Sequence, residues 1–202
     1  MNTILEDKGV DIVLNFLSKQ GRGTMYMLKD FESLEGVTYT AIRTILVKLC
    51  ERKILIRICR GIYYYPKDDR LSFPFIKDIL RFFEIKFNVS ICPKDEFAEF
   101  LIGLRKECPD VLFLHTTGKV RTINLTNGLT MKLMPTRKSF FKDFSSKKLM
   151  IVTSYLYSKE NLKLSDKEEN AIRNYIKDES TKLIKKDYSL IPPILRGVLS
   201  VY

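Results

Sequence analysis

The chain is 202 residues long, with 45% hydrophobic and 29% charged residues, the profile of a soluble globular protein of one sizeable domain or two small ones and not of a disordered chain. No apolar run approaches the roughly 18–20 residues that span a bilayer, and Met1–Asp7 has neither the basic start nor the apolar core of a signal peptide, so the cytoplasm is the expected location. The 35 basic against 24 acidic residues give a net charge of +11, which points to a polyanionic partner.

Ile12, Val13, Phe16 and Leu17 recur at helical spacing, and Gly21 and Gly23 close that first helix. Met25-Tyr26 reads as a short extended stretch, and Lys29 to Leu34 as a short helix ended by Gly36. Thr38 is the expected N-cap of a second helix running from about Tyr39 to Arg52. Within it Ile42, Ile45, Leu46 and Leu49 form a single apolar stripe. Ile54–Ile58 and Ile62–Tyr65 are rich in strand formers and are joined by Cys59-Arg60-Gly61, so they are expected to form a hairpin that ends at Pro66. The order helix, short helix, turn, helix, hairpin is that of a winged helix-turn-helix, which lays its second helix in a DNA major groove with the hairpin wing beside it.

Residues 67–74 are the expected boundary. Beyond them Phe75 to about Phe87 reads as a helix. Pro93 is read as the start of another helix, carrying Phe97, Phe100, Leu101 and Leu104. Three strands follow at Val111–His115, Val120–Leu125 and Leu129–Leu133, joined by Thr117-Gly118-Lys119 and by the hairpin signal Asn127-Gly128. Leu149–Tyr157 is read as helical, and Ser165 with Glu168 forms a capping box that opens a helix bearing Ile172, Tyr175 and Ile176. Pro192-Pro193 interrupts the end. The expected architecture is α+β: a winged helix-turn-helix over residues 1–70, then a mixed α/β domain over 71–202 with a small antiparallel sheet.

Chemistry of the enzymatic kind finds little footing. The sequence has no glycine-rich phosphate loop, no H-E-x-x-H and no G-x-S-x-G. Pro109-Asp110 starts like a nuclease core but lacks the following acidic-x-Lys. Cys50, Cys59, Cys92 and Cys108 are scattered without a C-x-x-C pair, and His115 is the sole histidine, so the thiols are expected to be reduced packing residues and no metal or other cofactor is expected.

From Leu55 to Lys67 the sequence reads Leu-Ile-Arg-Ile-Cys-Arg-Gly-Ile-Tyr-Tyr-Tyr-Pro-Lys. This run resembles the L-x-R-x-x-R-G-x-Y-x-x-P wing of AbiEi-type abortive-infection antitoxins and their relatives of unknown function. Lys29-Asp30-Phe31, the helix Ala41–Leu49, the segment Leu114–Thr122 (compared with Y-L-T-x-G-x-x-R) and Leu190–Arg196 are similar to other parts of the same family. The resemblance implies a repressor that binds double-stranded DNA at its own promoter and an antitoxin that counters a nucleotidyltransferase-like toxin, functionally and not by stable contact.

The candidate DNA-binding residues follow from the two groove-facing elements. Thr38, Tyr39, Thr40, Arg43, Thr44 and Val47 lie on or at the edge of the helix face opposite the apolar stripe. Arginine grips guanine there, threonine reaches base edges or the thymine methyl, and tyrosine reaches phosphate. Arg57 and Arg60 flank the wing turn and Lys67 follows it, suiting phosphate or minor-groove contact. The competing reading makes these a solvated helix face and an Arg57–Glu51 ion pair, with Tyr63, Tyr64 and Tyr65 packing inward. Two other functions stay open: a winged-helix regulator whose C-terminal domain senses a ligand or partner without any toxin, and a protein-interaction adaptor that no longer binds DNA.

Overall fold

The computed structural model describes residues 2–136, 143–159 and 163–199. Its fold is α+β, and the chain divides into two compact units, Met1–Phe82 with Leu125–Asn127, and Phe83–Asn124 with Gly128–Tyr202. The division falls inside the third helix, C-terminal to the 67–74 stretch.

The first unit opens with α1 (Asn2–Gln20), which Gly21 ends in the left-handed conformation, its N–H donating to Leu17 O. Next come β1 (Thr24–Met27) and a 3-10 turn (Leu28–Phe31), where a short extended stretch and a short helix were expected. Helix α2 (Tyr39–Glu51) is capped as its sequence suggests, with Thr38 Oγ1 accepting from Ala41 N–H at 3.3 Å. Its buried residues are Ile42, Ile45, Leu46 and Leu49, the expected stripe. They pack with Val13 and Leu17 of α1 and with Tyr26, Phe31, Leu55 and Tyr63. The hairpin is β2 (Ile56–Cys59) and β3 (Ile62–Tyr65). Gly61, at φ 76°, supplies the left-handed turn residue that a side chain would strain. Met25-Tyr26 was more than an extended stretch: β1 pairs with β3, so the hairpin belongs to a three-stranded antiparallel sheet ordered β1-β3-β2.

In the second unit the sheet is ordered β4-β5-β7-β6, from β4 (Ile91–Pro93), β5 (Val111–Thr116), β6 (Arg121–Asn124) and β7 (Thr130–Pro135). The expected antiparallel sheet is in fact mixed, because β5 and β7 pair in parallel, Leu114 opposite Leu133. The burial pattern explains the order. β7 buries Met131 and Leu133 and takes an inner position, whereas β6 is exposed along most of its length and takes the edge. Pro93 closes β4 and does not open a helix, a position open to proline because β4 is an edge strand. Helix α4 (Asp95–Ile102) follows it; α3 (Ile76–Phe87) comes before the sheet.

The core of this unit is built around α5 (Lys147–Ser158), buried from Leu149 through Leu156. Around it pack Cys92, Ala98, Ile102, and residues of α6 (Asp166–Ile176), α7 (Thr181–Asp187) and α8 (Pro193–Leu199). All four cysteines are free; Cys59 and Cys92 are buried, Cys50 is half-buried and Cys108 is exposed. Burial pushes the Cys92 thiol up to about 12, so it packs as an uncharged side chain. No helix among the described residues is long and apolar enough to cross a membrane.

The expected capping box at α6 is present, and it does more than cap. Glu168 Oε2 accepts from Ser165 N–H at 2.8 Å, while Oε1 accepts from the Tyr155 hydroxyl and the Lys159 ammonium. Burial pushes the Glu168 carboxyl up, but Lys159, Ser165 and Tyr155 outweigh it and hold it at about 2 against an ordinary 4.5. A carboxyl depressed on folding stabilises the fold above its unfolded pKa and loses that contribution as pH falls toward its folded one. Glu168→Gln is therefore expected to be about 2 kcal/mol less stable than the parent chain at neutral pH. The gap should close steadily below the ordinary 4.5 toward 2. Urea midpoints of both proteins across that range check this, and a gap independent of pH would contradict it.

Candidate nucleic-acid interface

The exposed face of α2 splits into two borders. Thr38, Thr40, Thr44 and Lys48 line a groove of about 470 Å³ shared with Val10 of α1. Arg43 and Tyr39 are exposed and lie outside that groove. Val47 is 43% exposed and Tyr39 48%. Two threonine hydroxyls are already engaged. Thr38 Oγ1 caps the helix, and Thr44 donates to Thr40 O at 3.3 Å. The long cationic donors of this face are Lys48, in the groove, and Arg43, which is fully on the exposed side.

On the hairpin, Arg57 lies across from Tyr63 in register and is exposed. Burial pushes the Tyr63 phenol up, and the guanidiniums of Arg57 and then Arg43 pull it part of the way back. The Cys50 thiol, on α2, is likewise pushed up by burial and drawn down by Arg57. The buried Tyr63 phenol thus feels the charges of both Arg57 on β2 and Arg43 on α2. The ion pair with Glu51 considered for Arg57 does not form. Among the described residues Arg43, Arg57 and Arg60 have no carboxylate partner within 4.0 Å. Arg60 is exposed in the two-residue turn, which is held in place by Leu28 N–H donating to Gly61 O at 2.9 Å.

Lys67 does not join this group. It follows the far end of β3, roughly 14 Å from the turn at about 3.4 Å per residue. Its aliphatic stem lies over Gly23, where a Cβ would come within 2.8 Å of Lys67 Cγ. Close by, the Arg22 guanidinium sits 5.5 Å from the Tyr65 ring centroid and pairs with Asp69 at 2.7 Å. Tyr63 and Tyr64 are buried and Tyr65 is half-buried, so the three tyrosines pack and present no open row of rings.

One contributor has no signal in the sequence. Thr126, which belongs to the first unit, donates its N–H to Ile58 O at 2.9 Å and its hydroxyl to Arg57 O. These bonds occupy the outer edge of β2, which would otherwise present unpaired carbonyls, and they fix the backbone that carries Arg57. Among the described residues no group of three or more His, Cys, Asp or Glu is placed to hold a metal ion. What the arrangement offers chemically is a rigid surface of fixed positive charge and hydrogen-bond donors, suited to phosphate and base edges.

No curated protein matches the sequence. A family model does, over residues 12–184, which takes in both units, and the chain accordingly belongs to the family of unknown function DUF6088.

Proposed function

We propose that this protein is a DNA-binding transcriptional repressor of its own promoter, with the first unit acting as a winged helix-turn-helix, and that it also serves as the antitoxin to a nucleotidyltransferase-like toxin. The observation that carries the DNA-binding part is the exposure of Arg43 on α2 and of Arg57 and Arg60 on the β2–β3 hairpin, none with a carboxylate within 4.0 Å among the described residues. In this reading α2 enters the major groove, Arg43 reads a base edge, and Arg57 and Arg60 grip the backbone. Lys67 contributes little. The antitoxin part rests on the family resemblance of the wing and tail motifs, and on a basic second region: residues 71–150 hold 14 basic and 8 acidic side chains.

Anisotropy titrations of the full chain on its promoter fragment test the surface residue by residue. Arg60→Ala is expected to weaken binding about equally on all sequences and to reduce the salt slope by about one. Arg43→Ala should cost about 1–3 kcal/mol and relax discrimination at a single position. Unchanged affinity in the double variant would remove the proposed surface. Co-expression with the neighbouring toxin tests the second role: both variants should derepress the promoter yet still rescue growth. Loss of rescue in either would mean that the two tasks share one surface.

A further inference from the structure

The Leu114–Thr122 segment, singled out in the sequence by its T-x-G-x-x-R pattern, takes no part in the proposed DNA surface. In the second unit it lines a cavity of about 220 Å³. Thr116, Gly118, Lys119 and Arg121 form one side; Phe83 and Phe87 stand among the apolar residues of the other. The two rings are stacked, with centroids 5.4 Å apart and planes 25° from parallel.

Three features make this a built site and not a packing defect. The first is rigidity. Thr117 N–H donates to Ser90 O at 3.1 Å, Ser90 N–H donates to Thr117 Oγ1 at 3.0 Å, and Gly118 N–H donates to Thr116 Oγ1 at 3.0 Å. Gly118 has no Cβ because one would stand 2.8 Å from Val89 Cγ1, so the loop closes against Val89 only as glycine. The second is a fixed wall: Thr116 is fully buried and its hydroxyl oxygen accepts from Gly118 N–H, which ties the loop to β5. The third is charge. Lys119 and Arg121 are exposed at the rim, and neither has a carboxylate within 4.0 Å among the described residues. The Arg121 guanidinium is held 4.9 Å from the Phe87 ring centroid, so it is oriented by stacking without being neutralised.

We infer that this cavity binds a small aromatic carboxylate, its ring against the Phe83–Phe87 wall and its carboxylate between Arg121 and Lys119. The chemistry selects the class. Apolar residues on one side favour a ring, two cations at the rim favour a carboxylate at its end, and a volume of about 220 Å³ holds one or two fused rings. That is below the roughly 300–1,000 Å³ of pockets for drug-sized ligands. The assignment places a sensing site in the second unit and is independent of the DNA-binding reading.

The test uses the full chain, uniformly ¹⁵N-labelled, titrated with 1-naphthoate and followed by amide shifts and calorimetry. Saturable binding is expected, with the largest shifts at Thr116, Gly118 and Arg121. Acetate, 1-naphthalenemethanol and 1-naphthylmethylamine should each bind at least tenfold more weakly, since each lacks the ring or the negative charge. Arg121→Gln, at an exposed position, should keep the parent amide spectrum and lose at least tenfold in affinity, and Arg43→Ala should bind 1-naphthoate like the parent. Equal binding of the neutral alcohol, undiminished affinity in Arg121→Gln, or shifts centred on α2 would each overturn the assignment.

Discussion

Asp187→Ala is expected to be among the most damaging single substitutions in the second unit, lowering its stability by about 3–5 kcal/mol. Asp187 is fully buried at the end of α7. Its carboxylate accepts from Ser145 N–H, at 2.8 Å to one oxygen and 3.0 Å to the other, and from Ser146 N–H at 2.8 Å. Ser146 is itself the N-cap of α5, its Oγ accepting from Leu149 N–H at 3.1 Å. The carboxylate therefore satisfies the backbone just ahead of the helix that centres the core, where the helix dipole also favours a negative charge. Alanine strands two donors, the buried Ser146 N–H and the half-buried Ser145 N–H, at about 1–3 kcal/mol each, and removes that charge. Asp187→Asn keeps the shape but turns one acceptor into a donor facing an N–H, so it should recover less than half of the loss. Urea unfolding followed by far-ultraviolet circular dichroism checks both variants. A drop under about 1 kcal/mol for alanine would mean that water or another group replaces the carboxylate without cost.

The other large effect concerns the first unit. Phe31 is fully buried and meets Phe16 edge-on, with centroids 5.2 Å apart, and Tyr26 at 5.5 Å. These three rings come from α1, β1 and the 3-10 turn, and they pack in the same core as the α2 stripe. Phe31→Ala removes a ring at a point where all the neighbours are held by backbone elements, so the cavity cannot collapse, and a loss of about 3–5 kcal/mol follows. Because α2 is positioned by this core, promoter binding should fail at temperatures where the variant unit melts, although Phe31 touches no proposed DNA contact. Phe31→Leu should restore most of both stability and binding. Retained promoter binding by Phe31→Ala at physiological temperature would show that α2 does not depend on the ring cluster for its placement.

Local signals made much of this chain legible. The Thr38 cap and the i, i+3, i+4, i+7 spacing of Ile42, Ile45, Leu46 and Leu49 define α2 within one residue of where it lies. Ser165 and Glu168 mark the start of α6, because both partners of the capping box sit within one turn. What escaped depends on pairing at a distance. Nothing local to Val111–His115 or Leu129–Leu133 reveals that these strands run parallel and adjacent, with the hairpin partner pushed to the edge. Ile91–Pro93 is too short to show a strand period, and its proline suggested a helix start. Among the site residues, the exposure of Arg43, Arg57 and Arg60 follows from spacing alone, but the position of Arg57 opposite Tyr63 depends on the strand register and on the irregularity between Arg57 and Cys59. Lys67 went the other way, since its place beyond Tyr65 puts it over Gly23. The role of Thr126 spans 69 positions and leaves no trace in its own neighbourhood.

The most direct test of the DNA-binding surface is a salt titration of promoter affinity with the full chain and with the Arg43→Ala/Arg57→Ala/Arg60→Ala variant. The parent chain is expected to show log affinity falling linearly with log salt concentration. The triple variant should fold like the parent, since all three side chains are exposed. Its affinity should fall by about a hundredfold or more, and its salt slope should be shallower by about two to three. A triple variant that binds the promoter with the parent's affinity and the parent's slope would contradict the assignment of α2 and the β2–β3 hairpin as the surface that meets DNA.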